Sequence, residues 1–501
     1  MWKLSIDAAS ALIAQLSGAL GLLIATPIFL SFLGKEAYGL IGILATVQSL
    51  IVLLDLGVAT SLMRATSSFK ETGDTARFHA IFRLVLLFAA AGFCAILIAG
   101  FAGANTVATV WLSVDNLPSA TVQTCLVAIF IQLGFRWITG FLRANALGME
   151  WVVTASAVQV LGNVLRYGLG AGLLVWPGLS LSTFFWFQAS CSAVELLCIL
   201  FVVRKNLPHP IFARVDVRNL KSELHLTGTL SAALVLWSIA SQADRVILSN
   251  ILPLGEFGEF MLGITIASGV LILAGPFGGV LIPRLTSLSE ANDSKGLHTT
   301  FLATLTAASV FAGAVAVTLG FFMEDVFRIW LDASPNQYAD VIRTASWYSL
   351  GNLALVLGSI PYYLQVAKGN LHYHLIGAAF STAGLLISLP VLIHFRGIEG
   401  AGIAWMLVNT SALCWSLWVA KRLLPSLHHL DWLRAVILPI SGILFATFTF
   451  KHAVTLPQDR IGALITLLAT GLAITIAGII SSPLLIRFLR RSLFEGHKPW
   501  L

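Results

Sequence analysis

Six ionisable side chains lie inside stretches of sequence that are otherwise apolar: the acids Asp55, Glu195 and Asp244 and the arginines Arg136, Arg166 and Arg245. A charge at the centre of a bilayer costs at least ~2.5 kcal/mol on insertion scales, so each one needs a partner, a hydrated cavity or a task. Counted from the ends of their segments, Arg136 falls in the third of the membrane nearest the chain termini, Arg166 just past the middle and Arg245 towards the opposite face. Cations staggered in depth suit an anion that has to cross. Arginine is the fitting base for a diphosphate, because its fork is always charged and takes two phosphate oxygens at once. The competing reading is that each arginine neutralises an acid inside its own bundle, with Glu195 against Arg166 or Arg136 the obvious pair. Asp244 and Arg245 are sequence neighbours and point about 100° apart around a helix, so they cannot share a face. Arg245 is therefore the first candidate for contact with a substrate, and Arg136 and Arg166 are the others.

A carboxylate at this depth also suits a cation. Asp55, Asp244 and Glu195 are accordingly the candidates for coupling to a proton or sodium gradient, although for Asp55, near a helix end, a structural hydrogen bond is the favoured reading. Arg64 and Arg284 stand where two apolar runs reach the same face of the membrane, and they form a candidate cytoplasmic gate; binding of lipid headgroups is the plainer alternative. No Walker lysine loop, HExxH motif or dinucleotide fingerprint is present, so no enzyme and no resident cofactor is expected. The five cysteines fall in apolar stretches without metal-type spacing.

The elements that must hold these residues follow from composition. The chain is 57% hydrophobic and 11% charged over 501 residues, with mean hydropathy +0.89, which excludes a water-soluble surface. Backbone polar groups in lipid must be satisfied within each segment or in a closed barrel, and these continuous apolar runs are not the alternating strands of a barrel. The fold class expected is all-α and polytopic, with about fourteen spans near 10–33, 38–62, 81–103, 119–142, 152–175, 180–203, 226–252, 257–282, 299–323, 341–366, 372–394, 398–420, 433–450 and 461–486. Of the 30 Lys and Arg residues, twenty-one fall on the side of the N-terminus, six on the other and three within spans, so both termini are expected to be cytoplasmic. That distribution accounts for the net charge of +7 better than nucleic-acid binding does. The first apolar run shows no clear cleavage site and is expected to be retained.

The chain also repeats itself weakly at an offset of about 220 residues. The turn from Gly34 to Gly39 resembles Gly255 to Gly258, and the run from Arg64 to Ser68 resembles Arg284 to Leu288. Gly148 matches Gly369, and Arg204 to Pro208 matches Lys421 to Pro425. Six spans separate the matching points, so the halves have the same orientation. The organisation expected is a six-helix lobe over 1–205, an inter-lobe linker over 206–225, a second six-helix lobe over 226–422 and two additional spans with a tail over 423–501.

Two stretches carry a resemblance to a known family. One is Phe32 to Leu40 followed by Leu53-Leu54-Asp55-Leu56-Gly57-Val58-Ala59 and Arg64; the other is Gln242 to Leu248 followed by Leu254-Gly255-Glu256-Phe257-Gly258-Glu259-Phe260. They resemble the polysaccharide transporter family, the O-antigen flippase branch of the multidrug/oligosaccharidyl-lipid/polysaccharide exporter superfamily. The resemblance implies two six-helix bundles in which spans one, two, seven and eight line a cationic cavity open alternately to each side. Asp55 and Arg245 lie on such spans, whereas Arg136 and Arg166 do not. It further implies a bacterial inner-membrane protein that carries a polyprenyl-pyrophosphate-linked oligosaccharide, an O-antigen or exopolysaccharide repeat unit, to the periplasmic leaflet. Membrane lipids, a polysaccharide polymerase and glycosyltransferases are the implied partners. The alternatives are a cation-coupled multidrug exporter of the same superfamily, which needs accessible acids in its cavity, and a membrane glycosyltransferase or polymerase, which needs a larger extramembrane domain than connections of about 20 residues supply.

Overall fold

The computed structural model describes residues 2–206 and 239–487 apart from positions 56, 177 and 333. Most of the expected linker, 206–225, and the first half of the seventh span lie outside the described residues. Among the described residues, eleven helices are long and apolar enough to cross a membrane. The helices in chain order are α1 (Trp2–Leu33), α2 (Lys35–Leu54), α3 (Val58–Thr72), α4 (Thr75–Thr106), α5 (Ser119–Gly148), α6 (Val152–Asn163), α7 (Gly170–Leu174) and α8 (Leu181–Asn206). After them come α9 (residues 239–251), α10 (Leu254–Ala267), α11 (Ala274–Glu290), α12 (Ser294–Leu331), α13 (Ala339–Ala367) and α14 (His372–Arg396). The last are α15 (Ile398–Leu423), α16 (His429–Trp432), α17 (Leu438–Ala453) and α18 (Arg460–Ile480). The expected second, fifth and seventh spans correspond to α2 with the start of α3, the α6–α7 run and, over its described part, α9. Because successive spans alternate in direction, the turns at Gly34, at 112–118 and at 252–253 share one face. It is the far face, opposite the N-terminus.

The described chain divides into two compact units, Met1–Met261 and Leu262–Leu501. Within each, small residues set how closely helices approach, as expected where lipid removes the hydrophobic drive between them. In the second unit α13 and α15 cross at Gly351 and Gly402, where an added methyl would lie 2.5 Å from the Trp405 ring and 2.7 Å from the Thr344 carbonyl oxygen respectively. The two C-terminal spans, α17 and α18, pack on α12. Phe322 leaves the helical conformation inside α12, and Lys451 of α17 donates to the neighbouring Phe321 carbonyl oxygen. Arg460 of α18 closes the end of α12 by donating to the Ile329 and Trp330 carbonyl oxygens at 3.0 and 3.3 Å.

Two expected spans are interrupted. Span two breaks at Asp55–Gly57, where Gly57 takes a left-handed φ of 80°, and α3 continues beyond. In span eight, α10 gives way to a 3-10 stretch, Ser268–Leu273, before α11 begins just ahead of Gly275-Pro276. Pro27 and Pro361, in contrast, sit inside continuous helices.

Candidate functional site

The six intramembrane charges read from the sequence all lie in the first unit. Arg166 sits on a π-helical stretch, Val164–Leu169, and is 2% exposed. Its Nη1 donates to Glu195 Oε2 on α8 at 2.5 Å and its Nη2 to Asn163 Oδ1 at 2.9 Å. Asn163 Nδ2 in turn donates to Ser17 Oγ on α1 at 2.9 Å, and Gln188 Nε2 on α8 donates to the Arg166 carbonyl oxygen at 3.0 Å. Gly162 makes the approach possible, since a methyl there would lie 2.6 Å from Glu195 Oε2. The pair therefore stitches α1, α6 and α8 together. Among its guanidinium nitrogens, only Nε is buried without a partner.

Arg136 and Arg245 are placed differently. Arg136 on α5 donates from Nη1 to Gln48 Oε1 on α2 at 2.5 Å and forms no ion pair with a carboxylate among the described residues. Arg245 on α9 donates from Nη1 to Gln242 Oε1 at 2.8 Å, and its Nε is buried with no hydrogen-bond partner. Asp244 is 2% exposed and accepts from the Arg245 backbone N–H at 2.8 Å. Asp55 is engaged too: its Oδ1 accepts from Ala59 N at 2.8 Å, capping the first turn of α3 across the Gly57 break. Arg64 is exposed on α3 and Arg284 is half-buried on α11, each without a hydrogen-bond or ion-pair partner among the described residues.

One cation escaped the sequence reading. The apolar run of span four stops at Leu142, which places Arg143 in a loop, but α5 continues to Gly148 and carries Arg143 on the same side as Arg136 two turns away. The seven-residue spacing was the available signal. Arg143 has no hydrogen-bond or ion-pair partner among the described residues.

At the far face the two repeat-related turns meet. Gly39 near the start of α2 lies against the Leu254 carbonyl oxygen, and Gly258 of α10 lies against the Lys35 carbonyl oxygen. A methyl on either would overlap that oxygen, and the one at Gly258 would also sit 2.9 Å from Gly39 N. Lys35 pairs with Glu259. Glu36, 8% exposed, accepts from Asn116 N, Asn116 Nδ2 and Leu117 N at 2.9, 2.7 and 3.0 Å. Leu254 N donates to Ser113 O at 2.7 Å, and Trp111 Nε1 donates to Ser249 Oγ at 3.1 Å. The seam joins α2, the π-helical end of α4 (Val107–Trp111) with the 112–118 loop, α9 and the start of α10.

Long apolar helices enclosing polar and cationic side chains define a polytopic α-helical membrane protein. The sequence belongs to the family described as polysaccharide biosynthesis protein, whose model matches residues 6–289. Among solved structures, the fold is similar to the lipid II flippase MurJ in an inward closed conformation, at 14% identity and a TM-score of 0.71, covering 96% of this chain and 99% of that one. It is also similar to an inward-facing multidrug resistance MATE family transporter of the MOP superfamily, at 14% identity and a TM-score of 0.69, covering 82% and 98%. A third likeness is to the MATE multidrug transporter DinF-BH, at 15% identity and a TM-score of 0.60, covering 84% and 95%. No curated protein matches the sequence.

Proposed function

We propose that this protein is a flippase that carries a polyprenyl-diphosphate-linked oligosaccharide, an O-antigen or exopolysaccharide repeat unit, from the cytoplasmic to the periplasmic leaflet. The observation that carries the reading is the unequal state of the buried charges. Glu195 is ion-paired with Arg166 and Asp55 caps a helix start, whereas among the described residues the side-chain hydrogen bonds of Arg136 and Arg245 go to neutral glutamines and neither forms an ion pair. A carbonyl oxygen orients a guanidinium without cancelling its charge, so both sites favour an anionic cargo. Membership of a polysaccharide biosynthesis family agrees with this, as does the flippase fold. A multidrug exporter for organic cations fits less well, because it needs accessible acids.

The protein is placed in the bacterial inner membrane with both termini in the cytoplasm, the far face being periplasmic. Its lobes are assigned to 1–205 and 226–422, with Arg64 and Arg284 at the cytoplasmic entrance, and it works beside the glycosyltransferases and polymerase that make and consume its cargo. Arg166 completes the set of substrate-binding candidates only if its pair with Glu195 opens during transport. Asp244 joins Asp55 and Glu195 as a candidate for ion coupling.

The test is glycan display in cells whose own flippase gene is deleted. Arg245→Ala and Arg136→Gln are expected to reduce display at least tenfold at equal membrane abundance, since each removes a charge-assisted contact of about 1.5–3 kcal/mol. Full display by both equally abundant variants would refute the anionic-cargo reading.

A further inference from the structure

Helix α5 is packed almost all the way round. From Cys125 to Met149 every residue but one is buried or half-buried, and the exception is Gly140. A methyl built there meets no atom within 4 Å. Gly140 lies between Arg136 and Arg143, and at 100° per residue it is rotated about 40° from Arg136, with Arg143 about 20° to the other side. The three therefore share one face, which the Arg136–Gln48 contact turns towards α2. Glycine inside a helix costs about 1 kcal/mol relative to alanine, so an exposed glycine in an otherwise enclosed helix calls for a reason. Room beside the backbone, between two cations that form no ion pair with a carboxylate among the described residues, is such a reason.

We propose that the notch at Gly140 is the seat of the cargo's diphosphate, with Arg143 as its first contact from the cytoplasmic side and Arg136 as its second. This inference rests on the flippase reading and adds to it a place and two residues, Gly140 and Arg143. The two arginine Cα atoms are about 10 Å apart along the axis, from seven residues at 1.5 Å rise. Side chains on a helix lean towards its N-terminus, so Arg143 reaches back over the turn that holds Gly140 and Arg136 stands one turn further on, and a diphosphate passes from the first to the second as it moves. The missing side chain at position 140 lets the anion approach the helix between the two forks. Gln132, one turn beyond Arg136 on the same face, is 1% exposed and its Oε1 has no hydrogen-bond partner, an acceptor for a hydroxyl of the attached sugar.

The experiment measures binding of farnesyl diphosphate, with farnesol as the uncharged comparator, to the full-length protein purified in detergent. Gly140→Leu fills the notch without changing charge and improves helix propensity, so loss of binding cannot be assigned to a weakened helix. Gly172→Leu is the control, because that glycine is also exposed with no atom within 4 Å of an added methyl. Expected are saturable binding of farnesyl diphosphate but not farnesol, a tenfold or greater weakening in Gly140→Leu and Arg143→Ala, partial recovery in Arg143→Lys, and no change in Gly172→Leu. If the unaltered protein binds the diphosphate and the Gly140 and Arg143 variants bind it equally, the notch is wrong and the flippase reading stands. If the unaltered protein binds no diphosphate, or binds farnesol as well, both fall.

Discussion

Substituting Gly258 by alanine should open the far-face seam. The methyl would overlap the Lys35 carbonyl oxygen and lie 2.9 Å from Gly39 N, and both obstacles are backbone atoms that cannot rotate away. Ordinary contact needs about 3.5–4 Å, so the start of α10 must part from α2 by about 1 Å. Overpacking of this kind costs roughly 1–3 kcal/mol. The helix itself gains about 1 kcal/mol from the Gly-to-Ala change, but it does so whether the seam is closed or open, so the fold is retained while the balance between the two states shifts. At 1.4 kcal/mol per decade the shift is about 5- to 150-fold towards the open seam. Ser249, 5% exposed beside Trp111, reports on it. With the five native cysteines replaced and Ser249→Cys introduced, a membrane-impermeant maleimide added at the far face should label Gly258→Ala faster than its parent by that factor. Gly255→Ala is the matched control, because its methyl would meet Glu36 Cγ at an ordinary 3.6 Å. Equal labelling of parent, control and Gly258→Ala would refute the argument that this crossing holds the seam shut.

Two further outcomes separate structural from transport roles among the buried charges. Removing one member of the Arg166–Glu195 pair leaves a buried charge uncompensated, so Arg166→Met and Glu195→Leu should each lower stability by about 3–5 kcal/mol while the double variant recovers most of it; thermal unfolding in detergent measures this, and additive losses would show that the two do not act as a pair. Asp55→Asn keeps an oxygen for Ala59 N and should change stability by less than about 0.5 kcal/mol, whereas Asp55→Ala should cost about 1 kcal/mol; loss of glycan display in a normally folded Asp55→Asn protein would instead show that the carboxylate charge serves ion coupling.

The spans were legible because lipid leaves the backbone one economical solution, so a run of apolar residues is also a helix. Where a helix ends was not. The apolar run of α5 stops at Leu142, yet the helix continues to Gly148 because its last turns pack on α3, with Asn145 Nδ2 donating to Thr66 Oγ1 at 3.1 Å and Ser67 Oγ donating to the Gly148 carbonyl oxygen at 3.1 Å. Hydropathy does not register such contacts, and Arg143 was hidden with them. That Glu195 would meet an arginine was foreseeable, since a lone charge is costly in lipid, but the sequence left Arg166 and Arg136 equally open as its partner. The geometry of the pair depends on Gly162 and on a π-helical turn, and neither declares itself in a sequence that reads Leu161-Gly162-Asn163-Val164.

The internal repeat gains physical content from the two interrupted spans. Gly39 and Gly258 make the reciprocal far-face contacts, and eighteen residues beyond each lie Gly57 and Pro276, at or next to the points where spans two and eight break. Beyond the breaks stand Arg64 and Arg284. The joints are made differently: a left-handed glycine, with Asp55 capping the helix that follows, interrupts span two, and a 3-10 stretch interrupts span eight. Both are low-cost ways to let a helix change direction without losing its hydrogen bonds to lipid. Matching placement with unmatched chemistry argues that what the two halves share is the position of a joint. Each places a helix held by the glycine crossing towards the far face and a helix with packing partners of its own, α3 on α5 or α11 on α12 and α13, towards the termini, so the segments that carry Arg64 and Arg284 are held by contacts separate from that crossing.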